Sequence, residues 1–331
     1  GPPRSTLDRS SAASDVYKRQ AGELHPAGLK IINQNSKYLV DYLKEVSNKN
    51  FLPYLKNADA MIVRTQTLNK NQIEKAKKLK IVSRHGVGYD NIDHYELKKR
   101  KIPLTIVGDV NSTSVSEHTM MLIISVFKKI ILADFSTRNS FWDYRNNYEP
   151  RELYSKNLLI VGFGRIGKKL GRLANAFGMN IFVYDPYIDN NFEEYEIQYF
   201  QDLKTAFQSA DCISLNLPKV EKPIITRENS KYLKHGVIIV NTARGGLIED
   251  NVLLDGIQKG TIAGVGLDVF DNEPLEKNHS LFKYKQVVFT PHQAGLSQES
   301  AERMSIKSIQ NILDYFDGTL DESLVVNGVL L

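Results

Sequence analysis

Short unbroken apolar runs alternate along this chain with stretches whose apolar residues recur every three or four positions. The runs at Leu158 to Val161, Cys212 to Leu217, Val237 to Val240, Ile262 to Leu267 and Val287 to Phe289 are rich in Val, Ile and Leu. That is the composition of strands covered on both faces. Ile166, Leu170, Leu173 and Phe177 form one helical face, and Val115, Thr119, Leu122, Val126 and Ile130 predict a long helix over 115–130. Nearer the N-terminus, Leu39, Leu43 and Val46 make a helical stripe and Ile73, Ala76 and Leu79 another. Met61 to Arg64, Ile81 to Ser83 and Leu104 to Val107 read as strands. A last helix carries Met304, Ile309, Ile312, Leu313 and Phe316, with Ser297 as its cap and Gly318 as its stop. Alternating strands and helices predict an α/β chain. A smaller α/β domain is expected over 21–107 and 296–331, and a larger doubly wound parallel sheet over 108–295. Residues 1–20, rich in Ser and charge and without either period, are set aside as an extraneous or disordered segment.

One turn changes this from a fold pattern into a binding pattern. Between the strand at Leu158 and the helix that follows, Gly162, Gly164 and Gly167 match the spacing of a dinucleotide fingerprint. One glycine makes the tight turn, one lets a pyrophosphate approach the backbone, and one lets the helix sit close to the strand. The helix N-terminus offers free N–H groups to the anion. Asp185 ends the next strand at about the 20-residue distance expected of a carboxylate that binds a ribose 2′-OH. Such a carboxylate repels a 2′-phosphate, so the expected cofactor is NAD in a Rossmann domain.

Composition narrows the partners. The 331 residues suffice for two domains, and 43 Lys and Arg against 38 Asp and Glu give a net charge of +5. This mild excess suits small anions. No basic run or aromatic-basic module marks nucleic-acid binding, and no apolar stretch reaches membrane length. Without a signal-peptide pattern, the cytoplasm is the expected location. The single cysteine, Cys212, lies in an apolar run and reads as a small buried hydrophobe. No metal is expected.

Three polar residues stand at or just after strand ends of the larger domain: Arg244 in VNTARGG, Glu273 in LDVFDNEP and His292 in TPHQAG. Singly, they read equally well as a surface ion-pair partner, a turn acid and a helix cap. Together, beyond the carboxyl ends of parallel strands, they supply what hydride transfer to a 2-keto acid requires. A guanidinium grips a carboxylate and polarises the neighbouring carbonyl, an imidazolium gives a proton to the oxygen, and a carboxylate orients and charges that imidazole.

With HGVGYDNID, NSTSVSEH, VGFGRIG, NTARGG, GLDVFDNEP and TPHQAG in order from His85 to Gly295, the chain resembles the NAD-dependent D-2-hydroxyacid dehydrogenases. These include phosphoglycerate dehydrogenase and hydroxypyruvate reductase. The resemblance runs from about Leu24 to Phe316. It implies a flavodoxin-like substrate domain beside the Rossmann domain, with Arg244, Glu273 and His292 as the catalytic residues. It further implies that the N–H groups of Val87 and Gly88 hold the substrate carboxylate. Arg165, Ile166, Pro218, Ala243 and Asp268 would join the three glycines and Asp185 around NAD, although Asp268 also reads as a strand-end turn residue. Arg64, followed by Thr65, resembles the phosphate-binding pair of phosphoglycerate dehydrogenases, and Arg84 offers a second cation; both also read as surface arginines. The expected substrate is therefore a small 2-hydroxy or 2-keto acid with a second anionic group, 3-phosphoglycerate first and glyoxylate or hydroxypyruvate next. The long helix resembles the arm through which family members dimerise, so a homodimer is expected.

Two departures stand out. KVEKP follows LNLP where family members carry a Thr-containing turn, which removes one expected cofactor contact. SAASDVYKRQAGE occupies the place of an apolar first strand, so the small sheet is expected to lack an element. The competing functional class is an NAD-sensing corepressor, which keeps this fold without needing turnover; formate dehydrogenase shares the fold but not the need for Glu273.

Overall fold

The computed structural model describes residues 15–19, 24–43, 48–187 and 194–330. The chain forms two units, one taking it up to Asn111 and again from Gln298, the other spanning Ser112–Ser297. The hydrophobic pattern puts these boundaries at 107/108 and 295/296.

The first unit runs β1 (Asp15–Arg19), α1 (Pro26–Asn33), β2 (Leu39–Leu43), α2 (Asn48–Leu55), β3 (Ala60–Val63), α3 (Lys70–Lys75), β4 (Ile81–Arg84), α4 (His94–Lys99) and β5 (Leu104–Thr105). Its strands pair in parallel in the order β2-β1-β3-β4-β5, a flavodoxin-like arrangement. Local capping chemistry sets the short helices: Asn69 and Gln72 form a reciprocal capping box on α3, and the Asp93 carboxylate accepts the Glu96 N–H at the start of α4.

Three expectations need correction here. Asp15–Arg19 lies within the segment set aside as extraneous, yet it is a strand paired on both sides, with β2 and β3, so the small sheet does not lack this element. The rest of 1–20 lies outside the described residues. A parallel ladder is made by backbone groups, and the polar composition DVYKR gave no hydrophobic signal for it. The Leu39–Leu43 stripe is β2 rather than a helix. Finally, the strand expected over 104–107 stops at Thr105, because the Ile106 N–H turns to the Leu324 carbonyl and the Val107 N–H to that of Gly86.

The second unit runs α5 (Ser112–Lys128), α6 (Ile130–Arg138), β6 (Asn157–Val161), α7 (Arg165–Ala176), β7 (Asn180–Tyr184), β8 (Ile197–Tyr199), α8 (Leu203–Ser209), β9 (Cys212–Leu215), β10 (Val237–Asn241), α9 (Asp250–Gln258), β11 (Ile262–Leu267) and β12 (Val287–Phe289). The helix expected over 115–130 ends at Lys128, because Lys129 adopts a left-handed φ of 54° and α6 starts anew. Neither Gly nor Pro marks that break. All seven strands are parallel in the order β12-β11-β10-β9-β6-β7-β8, a doubly wound Rossmann sheet.

Alternate residues of β6 explain its unbroken apolar run. Leu159 and Val161 enter one buried cluster with Ile213, Leu215 and Ile239, whereas Leu158 and Ile160 enter another with Leu122, Phe127, Leu170 and Ala174. The second cluster brings α5 and α7 onto one face of the sheet. Its close approach depends on Gly264 and Gly266 in β11: a Cβ at the first would strike Val126, and one at the second would lie 3.2 Å from the Leu122 Cβ. Cys212 is fully buried in this cluster, and burial pushes its thiol up, away from the reactive thiolate.

The last helix, α10 (Gln298–Asp317), belongs to the first unit, where Ile309, Ile312 and Leu313 cover Ala60, Ile62 and Ile81. Among the described residues no helix is long and apolar enough to cross a membrane.

Candidate active site

In a parallel sheet all strand C-termini share one edge, and ligands bind there where the strand order reverses. In the second unit that reversal falls at β6, with β7 on one side and β9 on the other. Gly162 follows β6, Asp185 follows β7, Pro218 lies beyond β9, and Ala243 and Arg244 follow β10. Asp268 and Glu273 follow β11, and His292 follows β12. Each of these sequence-selected residues thus lies at the same edge.

The glycine turn has the shape that an anion cradle requires. Gly162 has φ +90°, and a Cβ there would come within 2.7 Å of the Asn216 carbonyl oxygen. At Gly167 a Cβ would collide with the Gly162 carbonyl, so this glycine lets α7 start against the strand. Gly164 differs: nothing lies within 4 Å of where its Cβ would be. It is the N-cap of α7 and supplies no side-chain hydrogen bond, so the helix presents its first N–H groups to open space flanked by Arg165 and Ile166. Asp185 closes the turn. Its Oδ2 accepts the Phe163 N–H at 2.8 Å and its Oδ1 the Tyr187 N–H at 3.0 Å, which leaves each oxygen a further lone pair for a ribose hydroxyl. These residues fit a dinucleotide.

Glu273 and His292 meet directly. His292 Nδ1 lies 2.6 Å from Glu273 Oε2, and the Phe270 N–H donates to Oε1 at 3.0 Å. Burial would raise the Glu273 carboxyl. The hydrogen bonds from His292 and Phe270, with the charges of His292 and Arg244, outweigh it and hold the group below the usual carboxylate range. Arg244 therefore sits within electrostatic reach of the pair, and its Nη1 donates to the Ala243 carbonyl at 2.5 Å. His292 adopts φ +49°, a left-handed conformation uncommon for a side chain with a Cβ.

Asp268 is placed differently from the others. It is fully buried, and its carboxylate accepts three hydrogen bonds from the loop that carries His292: Thr290 Oγ1 at 2.6 Å, Gln293 N–H at 2.9 Å and Ala294 N–H at 2.8 Å. It builds the histidine's loop, in keeping with the turn-residue reading. Helix α5 reaches the same loop through residues that sequence reasoning quoted without assigning. Ser114 Oγ donates to the Ala294 carbonyl at 2.7 Å, and His118 Nε2 lies 2.9 Å from Thr290 Oγ1. Their signal in the sequence was two polar residues at i and i+4 on a helix that is otherwise mostly buried.

The remaining sequence-selected residues belong to the first unit. Arg84 is a brace: its Nε donates to the Gly88 carbonyl at 2.5 Å and its Nη1 to that of His85 at 2.7 Å. Among the described residues, the N–H groups of Val87 and Gly88, in the loop so held, donate to no carbonyl. Arg64 follows β3 and is partly buried; desolvation lowers its pKa, against a smaller opposing effect of Tyr42. His85 is buried beside both arginines. Burial first, and then the charges of Arg64 and Arg84, press its pKa to about 3, so the ring is neutral. Among the described residues, no group of three His, Cys, Asp or Glu is placed to hold a metal ion.

Residues 120–294 match the family model for the D-isomer specific 2-hydroxyacid dehydrogenase NAD binding domain. The chain is 36% identical over 306 residues to D-3-phosphoglycerate dehydrogenase of Methanocaldococcus jannaschii, covering 91% of this chain but 58% of that one. It thus spans little more than half of that longer relative. It is 34% identical over 288 residues to glyoxylate reductase of Thermococcus litoralis, covering 84% and 87% of the two chains. Among solved structures, D-lactate dehydrogenase from Aquifex aeolicus complexed with NAD and lactic acid superposes with a TM-score of 0.83 at 25% identity, over 95% of this chain and 99% of that one.

Proposed function

This chain belongs to the D-isomer specific 2-hydroxyacid dehydrogenase family, and from that premise we propose that it transfers hydride between NAD(H) and a small D-2-hydroxy or 2-keto acid. The observation that carries the reading is the 2.6 Å contact between His292 Nδ1 and Glu273 Oε2 at the edge that also holds the glycine turn. When bound, NADH supplies the hydride. Because Nδ1 is tied to Glu273, the proton available for transfer is the one on His292 Nε2, which passes to the substrate oxygen in reduction and is taken back in oxidation. Glu273 stays ionised through the neutral range and orients the ring through Nδ1. Its pKa is lowered, so this support is present above the ordinary carboxylate range and is lost only as pH falls through the depressed value.

Arg244 is assigned the grip on the substrate carboxylate and the polarisation of the carbonyl, and the N–H groups of Val87 and Gly88 are assigned to carboxylate binding. Gly162, Gly164 and Gly167, with Arg165 and Ile166, receive the pyrophosphate at the start of α7. Asp185 accepts the ribose hydroxyls and disfavours a 2′-phosphate, so the cofactor is NAD rather than NADP. Pro218 and Ala243 flank the cofactor at the ends of β9 and β10. Asp268 supports the site from beneath through the His292 loop.

Within the family we assign 3-phosphoglycerate, or in reverse phosphohydroxypyruvate, as the substrate, with glyoxylate or hydroxypyruvate as the alternative. Arg64 carries this choice: a partly desolvated guanidinium gains from a second anionic group that it can bind bidentately. A panel of 2-keto acids with NADH tests both levels. Arg64→Ala is expected to lower kcat/KM for the phosphorylated acid by about one to two orders of magnitude, from roughly 1.5–3 kcal/mol per charge-assisted hydrogen bond, and to change glyoxylate much less. Equal losses on both, or a wild type that prefers glyoxylate, would remove the phosphorylated substrate and leave the dehydrogenase. No turnover with any member would point instead to an NAD-sensing binding protein.

The same reading includes a homodimer through the second unit. Ile130, Ile131, Phe135, Phe141 and Trp142 are all exposed within a short stretch, and exposed apolar residues grouped in this way mark an interaction surface. Light scattering at micromolar concentration should give twice the chain mass; a monomer mass rejects this.

A further inference from the structure

The loop that carries His292 is fixed from below by a chain of hydrogen bonds whose direction can be worked out. Thr290 Oγ1 lies 2.6 Å from Asp268 Oδ1 and 2.9 Å from His118 Nε2. Asp268 also accepts the Gln293 and Ala294 N–H groups, so its carboxyl oxygens serve as acceptors for the whole loop. The single Thr290 hydroxyl proton therefore goes to Asp268, and the Thr290 oxygen accepts from His118 Nε2–H. This selects one tautomer of His118. Burial lowers the His118 pKa and outweighs the nearby Asp268 charge, which agrees with a neutral ring that donates through Nε2. His118 Nε2 also lies 3.5 Å from Asp268 Oδ1, and the two side chains are 12% and 0% exposed.

The consequence falls on His292. The two N–H groups that Asp268 holds belong to the residues that follow His292 directly, and Thr290 lies two residues before it. The clamp thus grips the chain on both sides of a residue whose φ is +49°. The strain of that conformation persists only where the surroundings hold it. Ser114, one helical turn before His118 on α5, holds the Ala294 carbonyl at 2.7 Å and receives the Ser297 N–H at 3.3 Å. Thr119, the next residue on α5, lies 2.7 Å by its Oγ1 from the Thr242 hydroxyl, two residues before Arg244. One side of α5 therefore supports the loops of both Arg244 and His292.

We propose that His118 is a positioning residue for the acid/base histidine, acting through Thr290 and Asp268 to hold the His292 imidazole against Glu273. The proposal rests on the dehydrogenase reading for its kinetic consequence, but its structural claim does not need turnover. Loss of the His118 donor takes away the second hydrogen bond of the Thr290 oxygen and weakens the clamp, and a displacement of about 1 Å at a reacting group can cost on the order of 100-fold in rate.

The test compares His118→Leu, which fills the space without a donor, with His118→Gln, whose amide N–H restores one. Thr290→Val and Thr290→Ser make the same contrast one link further along and stand in if the His118→Leu chain does not fold. His118→Leu and Thr290→Val should lower kcat by about 10- to 100-fold while the NADH Kd changes by less than about twofold, and His118→Gln and Thr290→Ser should recover most of the rate. Independently of turnover, ¹⁵N-imidazole spectra of the seven histidines, with the His292 signals identified by their absence in His292→Ala, should show the His292 Nδ1 resonance moved in the donor-less variants and returned in the conservative ones. The proposal is overturned if His118→Leu and His118→Gln lose equal activity, if NADH affinity falls in step with kcat, or if the His292 Nδ1 signal is the same with and without the donor. A wild type inactive on every 2-keto acid defeats the dehydrogenase reading, and the spectra still decide the positioning claim.

Discussion

The two units brace their strand-end loops with opposite charges. In the second unit carboxylates do it: Asp185 takes the Phe163 N–H, Glu273 that of Phe270, and Asp268 those of Gln293 and Ala294. In the first unit an arginine does it, with Arg84 donating to the carbonyls of His85 and Gly88. The difference determines what each loop has left to offer. A carboxylate brace uses up N–H groups and fixes side chains such as His292 from below. An arginine brace uses up carbonyls and leaves N–H groups, those of Val87 and Gly88, for an anion. On the proposed reading, proton transfer, cofactor binding and the Arg244 grip belong to the acid-braced edge, and the further N–H donors for an anion to the arginine-braced loop.

Substitutions at the acid-braced edge should have the largest effect. His292→Ala is expected to lower kcat by about 10²- to 10⁴-fold with NADH binding nearly unchanged, as loss of a general acid/base does. Its partner separates geometry from charge: Glu273→Gln keeps the hydrogen-bonding shape and removes the carboxylate, so it should move one limb of the kcat/KM pH profile. An unchanged profile would take Glu273 out of the proton transfer.

The braces themselves can then be set against each other in one paired experiment. Arg84→Leu should release the loop and raise KM for the keto acid by about one to two orders of magnitude, since each lost charge-assisted hydrogen bond costs roughly 1.5–3 kcal/mol, with the NADH Kd unmoved. Asp185→Ala should do the reverse and more gently, weakening NADH by about tenfold or less and relaxing discrimination against NADPH while substrate KM stays put. Arg84→Leu weakening NADH as much as substrate would show that the division of labour between the braces is wrong. A wild type that already uses NADPH as well as NADH would remove the Asp185 role.

Much of the Rossmann sheet was legible in the sequence because each central strand is buried on both faces, and an apolar run such as Leu158 to Val161 is a local signal. The glycine turn was legible for a related reason. Gly162 is required by its own φ of +90° and Gly167 by the Gly162 carbonyl in the same turn, and the spacing records both requirements. The meeting of Glu273 with His292 was inferable from topology, since residues after adjacent parallel strands must share an edge.

Where one spacing serves two structures, the sequence could not decide. Leu39 and Leu43 are four apart, which puts them on one face of a helix and equally on one face of a strand; pairing with β1 settled it. Lys129 ends α5 by a backbone angle that no residue type there announces. The roles of Asp268, Arg84 and His118 were likewise decided only in three dimensions. An acid at a strand end, an arginine before a glycine loop and a histidine on a helix each have both an outward and an inward use. Which one holds depends on whether a backbone group or hydroxyl distant in sequence arrives beside it: Asp268 meets residues 22 to 26 positions away, and His118 meets Thr290 across 172. Such encounters are made when the whole sheet closes, and hydrophobic periodicity carries no record of them.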